Sequence, residues 1–448
     1  MLLTSLSNLL ASVLPFLSLP PHPARPSSSK DVLTFTLRHE HGQRPDGRVV
    51  FADVPEHHAS KLIIDDETVF TLKARPMMVH RPRSMDLFHR ARRRVGASTI
   101  PWDPIEVIAP DTTSRRTLSL LSKMTFNAYL KPEDKTWYDL GSDWTVGYPF
   151  GWEPDENGFR GHVFATPDNR TVVLSIKGTT LVWPIEGGPT SKADKLNDNL
   201  LFSCCCARVN WRWSTVCNCY KGGWKCDATC LETAVTQDSL FYSMGTDLYS
   251  NLTYMYPYST IWLTGHSLGV SVIILWRFFK AANSFQGALA SLLGTTFGTP
   301  VVAFEAPGDA LAASRLHLPI PNETSHITHV FHTADSIAMG VCNGVTSPCA
   351  MGGYAMESRC HLGQKIVYDT VGQLGWSVGI GAHSISQVIE KILNKPWMDL
   401  GGKIDLGEDG VPPAVPEDEG CATTECYSWD FIGSLQNANS STAIDCGY

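Results

Sequence analysis

The sequence predicts an α/β fold, in which a largely parallel sheet carries helices between its strands. Short apolar runs rich in β-branched and aromatic residues alternate with longer segments whose apolar residues recur at helical spacing. Several of the strand-like runs end directly before Gly, Thr, Glu or Asp. An α/β sheet places its functional residues in such loops after the strands.

The first half of the chain supplies extended segments, one helix and one buried strand. Residues 33–80 alternate apolar and polar side chains in short runs, which predicts strands. Residues 116–130 carry Leu and Met at helical spacing and end near Lys131-Pro132, so we expect a helix there. The apolar run 171–177 predicts a buried strand, and Gly178-Thr179-Thr180 follows it.

The second half repeats the alternation of helix and strand. Residues 238–256 have apolar side chains along one helical face, and residues 260–264 form a β-branched and aromatic run. The remaining elements that we predict are strands at 300–304, 329–332 and 365–368 and an amphipathic helix at 385–393.

The strand at 260–264 runs into Gly265-His266-Ser267-Leu268-Gly269, the G-x-S-x-G pattern of the α/β-hydrolase nucleophile turn. Glycine has no Cβ, so strand and helix can approach closely at such a turn. We predict Ser267 as the nucleophile and the amide of Leu268 as an oxyanion donor. A second copy at 375–379 has no preceding strand, and the nearby histidine comes before the next acid, the wrong order for this fold.

A serine nucleophile needs a base within hydrogen-bond reach and an acid that orients the base. Asp335 follows a predicted strand and is our choice for the acid, with Asp309 as its rival. His383 lies on a glycine-rich loop and is our choice for the base, with His361 as its rival. Thr179 is the candidate for the second oxyanion donor. This chemistry requires neither a metal nor an organic cofactor.

The cysteines indicate an oxidising compartment. The chain has 13 cysteines, and seven of them lie within residues 204–230. The spacings Cys217/Cys219 and Cys226/Cys230 do not match paired zinc ligands two residues apart, so we favour disulfides over a zinc site. The odd count leaves one thiol unassigned.

The charge and the glycosylation sequences agree with a secreted or luminal protein. A net charge of −8 gives no electrostatic support for binding nucleic acid. Sequences of the N-x-S/T type are predicted glycosylation sites at Asn169, Asn251, Asn322 and Asn439.

The amino terminus predicts a membrane-targeting segment. Residues 1–20 contain no charged side chain and are rich in Leu, so we interpret them as a signal anchor or transmembrane segment, with a cleaved signal peptide as the alternative. A Pro/Ser-rich linker follows at 21–32. We expect the luminal catalytic domain at 33–400 and a cysteine-containing tail at 401–448.

Five sequence blocks together resemble the fungal autophagy-related vacuolar lipases, within the class 3 lipase group of α/β-hydrolases. The resemblance spans roughly residues 60–430. The block Cys204-Cys205-Cys206-Ala207-Arg208-Val209, which ends the segment 195–209, is distinctive of that family. The other blocks are 80–84, 88–94, 265–269 and 303–309.

The resemblance implies Ser267 as nucleophile, Asp335 as acid, His383 as base and Gly178-Thr179 as the oxyanion loop. It also implies a single-pass type II membrane protein that travels through the Golgi and the endosome or multivesicular body to the vacuole lumen. The implied substrates are membrane lipids, both phospholipids and triacylglycerol, of autophagic bodies and multivesicular-body vesicles.

One segment departs from the family pattern. Residues 270–286, which include Trp276, Phe278 and Phe279, separate the nucleophile turn from the small residues Gly287 to Gly294 that follow it directly in the family. Bulky side chains at that place would overpack the nucleophile helix against the sheet. Because Val270-Ser271, Ala282-Asn283 and Gln286 can be encoded by splice-site sequences, we interpret the segment as a translated intron. The competing interpretation is an apolar lid or membrane-touching loop.

Two further functions remain open from the sequence. One is a carboxylesterase that acts on smaller esters. The other is a catalytically impaired membrane- or lipid-binding protein that keeps the fold, which the segment 270–286 makes conceivable for this chain.

Overall fold

The structure is a computed structural model that describes 15 stretches of the chain. They are residues 32–34, 36–43, 49–53, 71–93, 99–130, 134–138, 159–166, 168–177, 180–183, 189–207, 215–238, 240–266, 269–272, 287–407 and 409–433. All of them belong to one compact unit, Val32–Tyr448. The predicted anchor and linker up to residue 31, together with Thr179, Ser267, Leu268, residues 273–286 and Asn439, lie outside the described residues.

The described chain forms strands β1 to β17. Their bounds are β1 Val32–Thr34, β2 Thr36–Gln43, β3 Val49–Asp53, β4 Thr71–Pro82, β5 Trp102–Pro110, β6 Arg160–Ala165, β7 Thr171–Ile176, β8 Thr180–Trp183, β9 Tyr220–Gly222, β10 Lys225–Asp227, β11 Thr260–His266, β12 Gly269–Val272, β13 Val301–Phe304, β14 Ile327–His332, β15 Gln364–Tyr368, β16 Val415–Pro416 and β17 Asp430–Ile432.

The α-helices of the described chain are α1 to α11, and two 3₁₀ helices accompany them. The α-helices are α1 Met85–Arg92, α2 Arg115–Asn127, α3 Pro189–Phe202, α4 Ala228–Asp238, α5 Leu240–Met255, α6 Gly287–Phe297, α7 Ala310–Arg315, α8 Pro348–Met351, α9 Thr370–Leu374, α10 Ile385–Lys391 and α11 Cys421–Thr424. The 3₁₀ helices are Ile380–His383 and Trp397–Leu400.

Nine strands form the main sheet in the order β16-β15-β14-β13-β11-β7-β6-β2-β3. The five central strands, β15, β14, β13, β11 and β7, are parallel to one another. Strands β6, β2 and β3 continue the sheet antiparallel on one side, and β16 does so on the other. The predicted α/β sheet is therefore confirmed, and the carboxyl ends of its five parallel strands lie along one edge.

The sheet is buried on both faces because alternate residues of each strand point to opposite sides. Val172, Leu174, Ile261 and Leu263 belong to one core cluster, which also contains residues of α3, α5 and α6. Their neighbours along the strands belong to a second cluster with residues of α2 and α10; this cluster includes Val173, Trp262, Val302, Phe304 and Val330. The layers of helices on the two faces hold the edge of the sheet rigidly in place.

Helix α6 packs unusually closely on the sheet. A Cβ at Gly294 would come within 2.2 Å of a Val301 methyl group, and one at Gly287 would come within 3.3 Å of the Gly265 carbonyl oxygen. The small residues after the nucleophile turn are therefore needed for packing, as the sequence indicated. Helix α6 begins against the end of β11 although residues 267–286 lie between them in the chain.

Six disulfides in the described part of the chain confirm the preference for disulfides over zinc. Consecutive cysteines in the family block bond to three different segments, in the pairs Cys204–Cys426, Cys205–Cys226 and Cys206–Cys217. The remaining pairs are Cys219–Cys230, Cys342–Cys349 and Cys360–Cys421. Two of the six, Cys204–Cys426 and Cys360–Cys421, join the carboxyl-terminal tail to the catalytic unit.

Within the stretches that the structure describes, no helix has the length and apolar character needed to cross a membrane. The segment that we predicted as an anchor lies outside them.

Candidate active site

The acid that we predicted, Asp335, lies in a turn just after β14. Its backbone N–H donates to the His332 carbonyl oxygen at 3.0 Å, and the Gly379 N–H donates to the Ala334 carbonyl oxygen at 3.0 Å. An isolated bridge pairs Asp335 with Gly379. This contact fixes the loop that carries His383 beside the end of β14.

Asp335 and His383 form a buried hydrogen-bonded pair. His383 ends the 3₁₀ helix Ile380–His383, and its Nδ1 lies 2.6 Å from Oδ2 of Asp335. The His383 side chain is 1% exposed and that of Asp335 is fully buried. The other carboxylate oxygen, Oδ1, accepts a hydrogen bond from the Ile337 N–H at 2.8 Å.

The hydrogen bonds assign the protonation of this pair. Burial alone would raise the pKa of Asp335, but the facing His383 and the neighbouring Glu305 carboxyl hold it well below its usual range. The ionised carboxylate accepts the Nδ1 proton of His383, which leaves Nε2 as the basic nitrogen of the neutral ring. Among the described residues, Nε2 has no hydrogen-bond partner.

Two further imidazoles hold the main chain of the His383 loop. His266 Nε2 lies 3.0 Å from the His383 carbonyl oxygen, and His332 Nε2 lies 3.0 Å from the Ala382 carbonyl oxygen. Since a carbonyl only accepts, both Nε2 atoms carry hydrogen. His266 stands at the variable position of the G-x-S-x-G motif, and no motif contains His332, so the sequence did not reveal this role.

Both supporting imidazoles are neutral. The Tyr129 hydroxyl donates to His266 Nδ1 at 2.9 Å, and the Thr370 hydroxyl donates to His332 Nδ1 at 3.2 Å. Burial lowers the pKa of His266 to about 3 and also lowers that of His332. The rings of His266 and His383 lie 5.3 Å apart between centroids, and His266 directly precedes position 267.

The rival residues have other partners. Asp309 Oδ1 accepts a hydrogen bond from the Leu362 N–H at 2.8 Å. His361 Nε2 donates to the Ala306 carbonyl oxygen at 3.0 Å, and its Nδ1 lies 3.3 Å from Glu417. Neither nitrogen of His361 is open to a substrate. The structure therefore does not arrange Asp309 and His361 as it arranges Asp335 and His383.

The remaining predicted residues have separate positions. Asn169, Asn251 and Asn322 are exposed, which makes them accessible to a glycosyltransferase, while their modification stays a prediction. Ser377, in the second copy of the motif, is also exposed. The assignments of Ser267 as nucleophile and of Leu268 and Thr179 as oxyanion donors stay predictions, because these residues lie outside the described part of the chain.

The chain is similar in sequence to a family of known proteins. A family model described as "Lipase (class 3)" matches residues 205–341. A protein named "Putative lipase ATG15" from Cryptococcus neoformans is 53% identical over 315 residues, which cover 69% of this chain and 57% of that protein. A protein of the same name from Candida glabrata is 39% identical over 387 residues, which cover 82% of this chain and 70% of that protein.

The similarity to solved structures is more distant. Lip2 lipase from Yarrowia lipolytica is 15% identical with a TM-score of 0.28, over 56% of this chain and 76% of that one. The chain spans little more than half the length of the Cryptococcus neoformans relative. Because the Candida glabrata protein is matched over most of its length, the chain belongs to the ATG15 family of lipases, the fungal autophagy-related family that its sequence resembles.

Proposed function

We propose that this chain is a serine hydrolase that cleaves the fatty-acyl esters of membrane lipids, both phospholipids and triacylglycerol. The observation that carries the proposal is the buried Asp335–His383 pair, joined at 2.6 Å at the edge of a parallel sheet. Membership of a lipase family supports the same reaction class. A serine after β11 would complete the set of groups that such a reaction needs.

The proposed reaction has two steps. Ser267 Oγ attacks the ester carbonyl carbon while His383 Nε2 takes the hydroxyl proton, and this proton then passes to the departing alcohol. Water next attacks the acyl-serine and gives a proton to His383, which returns it to Ser267 Oγ as the bond between Oγ and the acyl carbon breaks and the fatty acid leaves. The amides of Leu268 and Thr179 bind the oxyanion in both steps.

Asp335 supports the base during both steps. As a buried carboxylate it keeps the Nδ1 proton of His383 in place, so that Nε2 is free to accept the serine proton. It also stabilises the positive charge that develops on the imidazole. Removing such a carboxylate in a serine hydrolase lowers kcat by about 10⁴-fold.

The proposed site of action is the lumen of the vacuole. Six disulfides support an oxidising compartment, and three predicted glycosylation sites are exposed. We propose that residues 1–20 are a signal anchor with the catalytic domain 33–400 on the luminal side. The route would pass through the Golgi and the multivesicular body, and the substrates would be the membranes of delivered vesicles.

The test is hydrolysis of long-chain phospholipid vesicles and of a triacylglycerol emulsion by the purified chain at acidic pH. We expect Ser267→Ala to lower kcat by at least about 10⁴-fold on each lipid that is cleaved. Ser377→Ala is the matched control, because it removes the serine of the second G-x-S-x-G copy. It should retain wild-type kcat.

Other outcomes assign other functions. Cleavage of short water-soluble esters without cleavage of either lipid would identify a carboxylesterase instead. Vesicle binding without hydrolysis would identify a lipid-binding protein. Equal rates for Ser267→Ala and the wild type would remove Ser267 from the mechanism.

A further inference from the structure

Glu305 is a fully buried carboxyl that the proposed hydrolysis does not use. It follows β13 directly, at the same sheet edge as Asp335, and its side chain is 0% exposed. Its φ is +43°, a region in which side chains other than glycine are strained. Such strain persists only where the surrounding structure holds the residue in place, and strained residues cluster at functional sites.

The Glu305 carboxyl faces the buried pair. The nearby Asp335 carboxyl acts on it electrostatically, and its Oε1 lies 3.8 Å from His332 Nε2. Neither Glu305 oxygen accepts a well-formed hydrogen bond from a donor among the described residues. The backbone N–H of His332 favours the ionised form of Glu305, but burial outweighs it, so an ionised carboxylate in this position would be largely uncompensated.

The nearest imidazole cannot supply the missing positive charge. The Nε2–H of His332 donates to the Ala382 carbonyl oxygen, and its Nδ1 accepts from the Thr370 hydroxyl. The ring is thus satisfied as a neutral group, and burial lowers its pKa. The Nδ1 proton of His383 is directed at Asp335, so it is not available to Glu305 either.

Two neighbouring carboxyls that are both fully buried share a proton, because two adjacent negative charges cannot both be supported in such a site. The proton belongs on Glu305. Burial and the Asp335 charge raise the pKa of Glu305 well above its usual value, whereas the pKa of Asp335 stays well below its usual range.

We infer that Glu305 is a positioning residue: its neutral carboxyl donates a hydrogen bond to the Asp335 carboxylate and so fixes that acid against His383. Asp335 then has three donors, namely the Ile337 N–H, the His383 ring and the Glu305 hydroxyl. The inference about catalysis rests on the proposed function, because it assumes that Asp335 and His383 serve the hydrolytic reaction.

A bound proton can be detected without any catalytic assay. If Glu305 is protonated when folded and ionised when unfolded, unfolding releases a proton above the ordinary Glu pKa of 4.5. The folded state then holds more protons than the unfolded state, so a rise in pH destabilises the fold. Glutamine has the same shape and an N–H donor but no titration, so Glu305→Gln removes this loss.

The experiment compares Glu305→Gln with its parent in the Ser267→Ala background, by denaturant unfolding of the full chain from pH 5 to 8. We divide the unfolding equilibrium constant of the parent by that of Glu305→Gln. This ratio should rise by about tenfold per pH unit, up to the pH at which Glu305 loses its proton in the folded protein. The groups facing Glu305, namely Asp335, His332 and His383, are present in both proteins. Their contribution to the ratio is therefore small.

Glu417→Gln is the matched control. Burial would raise the pKa of Glu417, but hydrogen bonds from His361 and Lys365 hold it below its usual range. Glu417 is therefore ionised in both states above pH 5, so its substitution should give a ratio that is flat from pH 5 to 8. A flat ratio for Glu305→Gln as well would overturn the inference, because it would mean that Glu305 is ionised in the folded protein.

A second readout uses the chain with Ser267 intact. Glu305→Leu removes the donor to Asp335 and should lower kcat by about tenfold or more, with little change in KM, while Glu305→Gln should recover most of that loss. Equal losses for Leu and Gln would contradict the positioning role. The two proposals can fail separately. If no protein hydrolyses lipid but the ratio of unfolding constants rises with pH, the proposed function is wrong while the protonation of Glu305 is supported.

Discussion

Two buried acid–imidazole clusters are built from β13, β14 and the segments that follow these strands. In the first, His383 is bound to Asp335 through one nitrogen at 2.6 Å, and its other nitrogen has no partner among the described residues. In the second, both nitrogens of His361 have protein partners, the Ala306 carbonyl and Glu417. The same residue types thus give a candidate base in one place and a structural contact between chain segments in the other.

The second cluster joins the tail to the catalytic unit. Glu417 accepts hydrogen bonds from the His361 N–H at 2.8 Å and from Lys365. The adjacent Asp309 lies 3.4 Å from His329 Nε2 and accepts from the Leu362 N–H. The acidic side chains of this cluster therefore accept hydrogen bonds from backbone N–H groups and hold chain segments together. The difference teaches that an open imidazole nitrogen, rather than an acid–histidine contact, distinguishes the catalytic candidate.

We expect the two clusters to differ most in how substitution of their acidic residues changes kcat. Asp335→Asn should lower kcat for lipid hydrolysis by about 10⁴-fold, because the amide no longer holds His383 in the tautomer with a basic Nε2. Asp309→Asn should leave kcat per folded molecule within about tenfold, because Asp309 contacts backbone and His329 rather than the reacting groups. Steady-state kinetics with the folded fraction measured by circular dichroism provides the comparison.

A measurement of the unfolding free energy separates a loss of catalysis from a loss of folded protein. Asp309→Asn weakens a buried hydrogen bond to Leu362 and should cost about 1–3 kcal/mol of unfolding free energy. If Asp309→Asn lost activity as severely as Asp335→Asn while remaining folded, the assignment of the acid would be wrong.

A smaller effect is expected from the segment 270–286, which separates the nucleophile turn from α6. Helix α6 already begins against β11 and β13: a Cβ at Gly287 would lie 3.3 Å from the Gly265 carbonyl oxygen and 3.0 Å from the Ala306 Cβ. We propose that the segment is a translated intron, so joining Gly269 to Gly287 should preserve the packing of α6, although it removes Val270 to Val272 of β12, which pairs with β8. Deletion of residues 270–286 should raise kcat and stabilise the fold by about 1–3 kcal/mol.

The deletion is measured by hydrolysis and denaturant unfolding of the two purified chains. A deletion that abolished activity in a folded protein would show that the segment is required, as a lid would be. Genomic DNA provides an independent check, because codons for Val270-Ser271 and Gln286 that cannot form splice sites would refute the intron.

Much of the fold could be predicted from local patterns. The strands β7, β11, β13, β14 and β15 are apolar runs at the expected places, and helices α2 and α5 follow the predicted periodicity. Helix α3 was missed for a physical reason: its buried face includes Asp194, Asn197 and Asp198, so the apolar stripe that reveals a helix is interrupted. Disulfide pairing could not be predicted because it depends on tertiary proximity.

The site was predicted only in part for a related reason. Chain order and strand ends selected Asp335 and His383, and the structure brings these two together. The roles of His266, His332 and Glu305 depend on which atoms they meet across different strands, and no spacing in the sequence encodes that. The sequence did contain one local signal for Glu305, which directly follows an apolar strand. An acidic side chain that is buried at such a place costs free energy unless it has a partner.

The most direct test of the central claim is covalent labelling with a long-chain alkyl phosphonate ester, which reacts with an activated serine and mimics the tetrahedral intermediate. We predict one adduct per chain, located on Ser267 by peptide mass spectrometry, with labelling about 10⁴-fold slower in Asp335→Asn. An adduct on Ser377, or labelling of Ser267 at the same rate with and without the Asp335 carboxylate, would contradict the account.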